Sequence, residues 1–370
     1  MKILQVIQRP QFRGAEIFAC QLSVELKKLG HEVDVLFLFG TDDEQLPYPL
    51  HFIHLNATIK KRFWDLKAYR KLNSIIVQGG YEIVQGNAAD TLKYLAISKQ
   101  LYGWKAKFVY RNANKISDFL TNNIKRAVNT ILMKKVDFVA SVSEECMQDF
   151  IAVYPSFVNR IESLPIGVSL ENSPQYDSLS VIGIPGFGPF LLHVASFVPE
   201  KNHEGLLRIF YNLLKEYPTA TLLLIGEGKL KPPIENMTKE MNIQSHIHFL
   251  GKRNDVSQIM SCCDVFILPS LIEGLPGVIL ESFINRLPVV AYDVGGIKEV
   301  VNNHVTGWLV NKNNEIDFLL ALKHCLSLKT SVIQDNAYNL AVNNYSNSSI
   351  SKKFELFFEK TLSKKQNYSQ

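Results

Sequence analysis

The sequence predicts an α/β protein built as two doubly wound parallel sheets in tandem, facing a cleft. Three observations carry that prediction. Short apolar runs alternate with helix-period stretches along nearly all of the 370 residues, the pattern of parallel strands joined by crossover helices. The apolar runs are near-continuous, as expected of strands buried on both faces. A chain of this length exceeds one ordinary core and suits two domains, and its composition shifts once, near the middle.

In order, Ile3–Ile7 reads as the first strand and Glu16–Leu29 as the first helix, closed by Gly30 as its C-terminal cap. Val33–Phe39, Phe52–Leu55, Ile83–Gln85, Phe108–Tyr110, Phe138–Ala140 and Ile161–Leu164 continue the first series of strands. Residues 172–188 are rich in Pro, Gly and Ser and lack periodicity, which predicts a linker. The second series is Phe190–Ala195, Thr221–Ile225, Ile247–Leu250, Val265–Leu268, Val289–Tyr292 and Trp308–Val310. An amphipathic helix over 346–362, opening at a Ser cap, ends the pattern.

Composition sets limits on function. No run approaches the roughly 18 apolar residues of a membrane span, and the N-terminus turns polar too soon for a signal peptide. The five cysteines are an odd number without CxxC spacing, so reduced thiols in a cytoplasmic protein are expected. The net charge of +5 is uneven: residues 1–169 carry 22 Lys+Arg against 16 Asp+Glu, and the remainder 18 against 19. Part of the excess lies in Lys60–Lys71, where basic residues flank Phe63, Trp64, Leu66 and Tyr69. Two readings stay open there, an interfacial helix on an anionic membrane and a solvated helix docked on its own domain. No nucleic acid is expected as a partner.

Ligands of doubly wound sheets sit at the carboxyl ends of the strands, so the loops that follow the strands hold the candidates. After the first strand, Gly14 permits close backbone approach at a helix start, and Glu16 lies in the first turn of that helix. In the second series the first strand leads to Ser196 and Lys201, the second to Gly226-Glu227-Gly228 and the third to Gly251-Lys252-Arg253. The fourth leads into Pro269 through Glu281, where Glu273 and Glu281 bracket a Gly274-Leu275-Pro276 turn. Pro276 suits the first helical position, since its missing N–H would have no partner there.

These segments resemble nucleotide-sugar glycosyltransferases of the GT-B fold, specifically the retaining family 4 (glycosyl transferases group 1). Matching pieces run in order through Arg13–Glu16, Pro199–Asn202, Ile225–Gly228, Phe249–Gly251, Pro269–Glu281, Asp293–Gly296 with Glu299-Val300, and Thr306–Val310. The resemblance implies two Rossmann-like domains: an acceptor-side domain over 1–171 with a C-terminal crossover helix within 346–370, the linker 172–188, and a donor-binding domain over 189–345. Lys201 would neutralise the donor diphosphate, and Glu281 would accept the ribose hydroxyls. Glu273 would face the transferring sugar, beside the N–H groups around Gly274, Leu275 and Pro276. Catalytic roles thus fall to Glu273 and Lys201. Ser196 and Gly226 would border the donor, Gly251 and Lys252 would lie near the base, and Gly14 would approach the diphosphate.

The chain departs from the family pattern in four places. Ser196 lacks the usual neighbouring Arg; Arg13 replaces the first Gly of its loop; Tyr110-Arg111-Asn112 stands where a His is common; and Ile166-Gly167-Val168 stands where Asn-Gly-Val is usual. Arg13, Glu16 and Arg111 are accordingly the acceptor-side candidates. The implied function is retaining transfer of a sugar from a UDP or GDP donor to a glycan or lipid-linked glycan in cell-surface polysaccharide synthesis, without a cofactor. No D-x-D pair stands at a strand end, since Asp42-Asp43 is adjacent and loop-like, so transfer without a metal is expected. The place of action would be the cytoplasm or the inner face of the cytoplasmic membrane. A non-catalytic nucleotide-sugar-binding subunit and a same-fold epimerase or phosphorylase are the alternatives.

Overall fold

The computed structural model describes residues 1–11, 13–41, 46–61, 64–170, 176–184 and 188–364. The chain divides into two units, one of Met1–Gly167 with Asn347–Gln370 and one of Val168–Ser346. The stretch 172–188 therefore falls inside the second unit. Its residues 176–184 include a 3-10 turn, Leu179–Ile182, and bury Leu179 and Ile184; residues 172–175 and 185–187 lie outside the described residues.

The first unit holds strands β1 (Lys2–Ile7), β2 (Glu32–Phe37), β3 (His51–His54), β4 (Ile83–Gly86), β5 (Lys107–Asn112), β6 (Phe138–Ser141) and β7 (Ile161–Ser163). They form a seven-stranded sheet in the order β3-β2-β1-β4-β5-β6-β7, with every pair parallel. Helices α1 (Gly14–Lys28), α2 (Leu66–Gly79), α3 (Ala89–Tyr102), α4 (Asn123–Met133) and α5 (Glu144–Val153) connect them. Side-chain caps start three of these helices: Asp65 accepts from Ala68 N, Asn122 from Lys125 N and Ser143 from Cys146 N. Each satisfies an N–H that the helix leaves without a partner.

The second unit repeats the plan with β8 (Phe190–Val194), β9 (Thr221–Ile225), β10 (Ile247–Gly251), β11 (Val265–Leu268), β12 (Val289–Asp293) and β13 (Trp308–Asn311). Its six strands run β10-β9-β8-β11-β12-β13, again all parallel. Its helices are α6 (His203–Leu213), α7 (Lys231–Glu240), α8 (Val256–Met260), α9 (Gly277–Ile284), α10 (Glu315–Ser327) and α11 (Ser331–Tyr345). Each sheet thus grows outward from its first strand in both directions, the doubly wound topology that leaves a crevice where the order reverses.

The C-terminal helix, α12 (Asn347–Ser363), belongs to the first unit. Its Ile350, Phe354, Phe357 and Phe358 are buried against Phe18, Leu22 and Leu26 of α1 and against Ile3, Ile83, Val109 and Phe138 of the sheet. The opposite face of that sheet is covered by α2 and α3 through Tyr69, Leu72, Ile76, Leu92 and Leu95. At about 1.5–3 kcal/mol per buried large apolar side chain, the four from α12 contribute on the order of 6–12 kcal/mol, an upper estimate because the unfolded chain already buries some of this surface. Apolar runs were legible as strands here because a parallel sheet covered on both faces leaves no polar side to its strands.

Candidate active site

In the second unit the strand order reverses between β8 and β11, so the loops after these two strands flank the crevice. Neighbouring strand ends are locked to each other through the backbone. Ala195 N donates to Ile225 O at 2.9 Å, Phe197 N to Glu227 O at 3.1 Å and Gly226 N to Gly251 O at 2.8 Å. Gly226 has φ +141°, and a Cβ there would lie 2.0 Å from Ala195 O. Only glycine allows the two backbones to pass this closely. The glycines at 226 and 251 thus act first as clearance and turn residues within the protein.

The β11 loop is clamped from both sides. Leu271 N donates to Glu200 O at 2.8 Å and Asn202 Nδ2 to Pro269 O at 3.0 Å, tying it to the β8 loop. From the other side, Gly296 N donates to Gly274 O at 2.5 Å, and a Cβ on Gly295 would meet Glu273 O at 2.0 Å. Asn202 holds a left-handed backbone, φ +52°, and its side chain caps α6 by accepting from Gly205 N. The 3-10 turn Pro199–Lys201 ends there, which aims Lys201 across the crevice.

Lys201 Nζ lies 2.5 Å from Glu273 Oε1. Glu273 is 6% exposed, whereas the Lys201 side chain keeps 23% of its surface. The pair joins a cation from one loop to a carboxylate from the other, at the switch point. Gly274 and Leu275 are buried behind Glu273, so Leu275 turns its side chain inward. Ser196 is half-buried and Lys252 is exposed. Pro276 is the N-cap of α9, with ψ 122°, and the helix begins one residue later at Gly277. The sequence expectation of a first helical position was off by one because Pro276 keeps an extended backbone. Glu281 stands in the second turn of α9 and is exposed, while desolvation raises its carboxyl pKa. Water reaches the carboxylate, which limits that rise.

Sequence reasoning missed the polar residues beneath Lys201. His193 and His203 are buried with rings 4.9 Å apart, and His203 stacks on Phe197 at 4.1 Å. His193 Nδ1 bonds to Ile267 O at 2.8 Å, while both ring nitrogens of His203 lack partners. Burial pushes His193 down to about 4 and His203 to about 2, so both are neutral at pH 7. Ser270, in the loop after β11, is also fully buried with an unpartnered Oγ. A polar residue inside an otherwise apolar strand, as at His193, was the available signal.

In the first unit the reversal lies between β1 and β4. Arg13 and Gly14 are exposed at the start of α1, and a Cβ on Gly14 would meet no atom within 4 Å. Glu16 is 3% exposed, accepts from Gln11 Nε2 at 2.9 Å, and has its pKa raised by burial. Across from it, Gln8 Nε2 donates to Asp90 Oδ2 at 2.6 Å and Lys93 Nζ lies 2.8 Å from Asp90 Oδ1. This trio was also missed, although Asn87-Ala88-Ala89-Asp90 directly follows a buried strand.

Arg111 requires a correction. It was expected to contact donor or acceptor, yet it is 3% exposed, with its guanidinium 4.7 Å from the Phe18 ring and 5.2 Å from the Phe354 ring. It donates to Leu164 O at 2.5 Å and Ser141 O at 3.4 Å, and burial lowers its pKa to about 9. Its position on β5 turns the side chain onto the face covered by α1 and α12, so it braces the core. Asp42-Asp43 lies outside the described residues. Among the described residues no three His, Cys, Asp or Glu side chains gather as a metal site, and no helix is long and apolar enough to cross a membrane.

Comparison with known proteins follows the same division. Residues 178–366 match the family described as glycosyl transferases group 1, and residues 12–172 match glycosyltransferase family 4. An Escherichia coli UDP-Gal:alpha-D-GlcNAc-diphosphoundecaprenol alpha-1,3-galactosyltransferase is 25% identical over 367 residues, covering 93% of this chain and 91% of that one. A Campylobacter jejuni N-acetylgalactosamine-N,N'-diacetylbacillosaminyl-diphospho-undecaprenol 4-alpha-N-acetylgalactosaminyltransferase is 28% identical over 239 residues, 63% of this chain. The match spans 64% of that relative, just under two thirds of its length. Among solved structures, Anabaena HepE in complex with UDP-glucose superposes with a TM-score of 0.83 at 19% identity, covering 97% of this chain and 100% of that one. At that identity the likeness shows the fold, GT-B.

Proposed function

This chain belongs to the glycosyl transferases group 1 family and is a GT-B glycosyltransferase, and from that premise we propose that it is a retaining, metal-independent hexosyltransferase. Its donor is a UDP or GDP sugar and its acceptor a lipid-linked glycan, in cell-surface polysaccharide synthesis. The lipid-linked acceptor is taken from the names of the E. coli and C. jejuni relatives, and the nucleotide donor from the UDP-glucose bound to the Anabaena protein. The proposed place of action is the cytoplasm, peripheral on the inner face of the membrane.

One observation supports the donor site above the others: Lys201 and Glu273, from the two loops that flank the switch point, form a 2.5 Å ion pair in a clamped backbone. A bound diphosphate offers Lys201 a stronger anionic partner. The ammonium then moves onto the phosphate oxygens and frees Glu273 to accept hydrogen bonds from sugar hydroxyls. Glu281 accepts the ribose hydroxyls from α9. The start of that helix directs free N–H groups toward negative charge, as helix N-termini do.

In the reaction the bond between the anomeric carbon and the phosphate oxygen breaks, and its electron pair leaves with the nucleoside diphosphate. Lys201 stabilises that developing charge without having to reorganise, the form of catalysis that contributes most in such sites. The acceptor oxygen bonds to the anomeric carbon from the same face, and its proton passes to the departing phosphate oxygen.

The test incubates the chain with a panel of UDP and GDP sugars, lipid-diphosphate glycans and added chelator, and measures nucleoside diphosphate release and the anomeric configuration of the product. Release that survives chelation, with a retained anomer, is expected. Glu281→Ala should raise the donor KM about ten- to hundredfold, the scale of a lost hydrogen bond to a charged group. Donor binding without turnover on any acceptor would instead favour a non-catalytic subunit.

A further inference from the structure

We propose that the outward face of α4 is a docking surface for an anionic lipid bilayer. The proposal rests on the lipid-linked acceptor reading only in that such an acceptor lies at a bilayer; its physical case is the helix itself. Elsewhere in the first unit the apolar stripe of a helix faces the sheet, as α2 does with Tyr69, Leu72 and Ile76, all at most 2% exposed. In α4 the stripe is turned outward. Ile124, Val128 and Ile131 share one helical face by their spacing and are 77%, 40% and 64% exposed. Only Leu132 and Met133 of α4 are buried, and Phe119, just before the helix, is 46% exposed.

Charge identifies the occupant. From Phe119 to Val136 the sequence carries Lys125, Arg126, Lys134 and Lys135 and no acidic residue. Among the described residues none of these four forms an ion pair with a carboxylate. On the helix Lys125 flanks this stripe and Lys134 and Lys135 follow its end, while Arg126 lies on the opposite face; an aliphatic centre with lysines at its edge fits a surface that offers hydrocarbon beneath negative headgroups. A second copy of the chain would bring the same lysines against each other across a twofold axis. A nucleic acid would leave the isoleucines without an apolar partner. The sequence candidate over 60–71 fits less well: Trp64 and Leu66 are 86% and 63% exposed there, but the main apolar face of α2 is already packed inward.

The test is flotation of the full chain with vesicles of phosphatidylcholine alone or with about 30% phosphatidylglycerol, at low and high salt. Binding at least tenfold tighter to the anionic vesicles is expected, weakening with salt. Lys125→Ser should weaken it about fivefold, the scale of one charge near the surface. Ile124→Ser with Ile131→Ser should weaken it at least tenfold, while Val332→Ser, at an exposed apolar site on α11 in the second unit, should leave it unchanged. Melting and donor hydrolysis should be unaffected by all three, because each site is exposed and outside the donor loops. Equal flotation of wild type and the isoleucine variant would overturn the proposal. So would a wild-type dimer that the isoleucine variant dissociates without change in flotation, which would assign the face to a second copy. Flotation as expected with no transfer to any lipid-linked acceptor would sink the acceptor reading and leave the docking face standing.

Discussion

Replacing Lys201 with Met removes the cation 2.5 Å from Glu273 while keeping most of the side-chain stem. Glu273, 6% exposed, is then left with its charge uncompensated in a site that water barely reaches. Removing one partner of a buried ion pair costs about 3–5 kcal/mol. The Lys201 side chain is 23% exposed, so solvent already screens part of the attraction, and about 2–3 kcal/mol is the expected loss. For a unit of this size each kcal/mol shifts Tm by about 2–4 °C, so Lys201→Met should melt about 4–12 °C lower. Adding Glu273→Gln removes the stranded charge, and the double variant should recover at least half of that drop. Activity should not follow. Nucleoside diphosphate release should stay about a hundredfold or more below wild type in both variants, because the charge that meets the leaving group is gone. Differential scanning calorimetry and a coupled nucleotide-release assay on the same preparations read the two quantities. A double variant that melts as low as the single one would refute the paired account of this loop, and wild-type release from Lys201→Met would remove it from the chemistry.

Further outcomes rest on the geometry of single positions and elements. Gly295→Ala, at φ +56° with its Cβ 2.0 Å from Glu273 O, should cost at least about 3 kcal/mol by chemical denaturation, whereas Gly14→Ala, with no atom within 4 Å, should change stability by under about 0.5 kcal/mol and reduce turnover only if ligand fills that space. Stability should be greatest above pH 6.5 and fall toward pH 4: the unfolded chain protonates His193 near 6.5 and the folded chain holds it neutral to about 4, so the unfolded state binds more protons between them, worth about 3 kcal/mol. His203, held neutral by the same burial, adds to that dependence, and His203→Phe, which replaces a ring with two unpartnered nitrogens, should reduce the total in thermal melts without loss at pH 7. Truncation before α12 removes Ile350, Phe354, Phe357 and Phe358 from the core of the first unit, and a loss on the order of 6 kcal/mol should leave that unit unfolded by hydrogen exchange.

Much of the fold was legible in the chain. The strands read in the sequence correspond to the thirteen strands among the described residues, because burial on both faces leaves a continuous apolar run that local reading detects. Glycine signals were legible as well, but their meaning changed: Gly226 and Gly295 admit neighbouring backbone rather than simply marking a ligand contact. Other features were set by tertiary structure alone. Lys201 and Glu273 stand 72 residues apart, and they meet only because the order of the sheet places β8 beside β11. Arg111 looked like a rim residue until α1 and α12 covered it. The apolar residues of α4 were not singled out in the chain, and only the packed structure shows Ile124, Val128 and Ile131 turned to solvent. Periodicity records which side of an element is apolar, a local property of the chain. What that side meets depends on strand order and on the helices laid over it, and those come from contacts between distant residues.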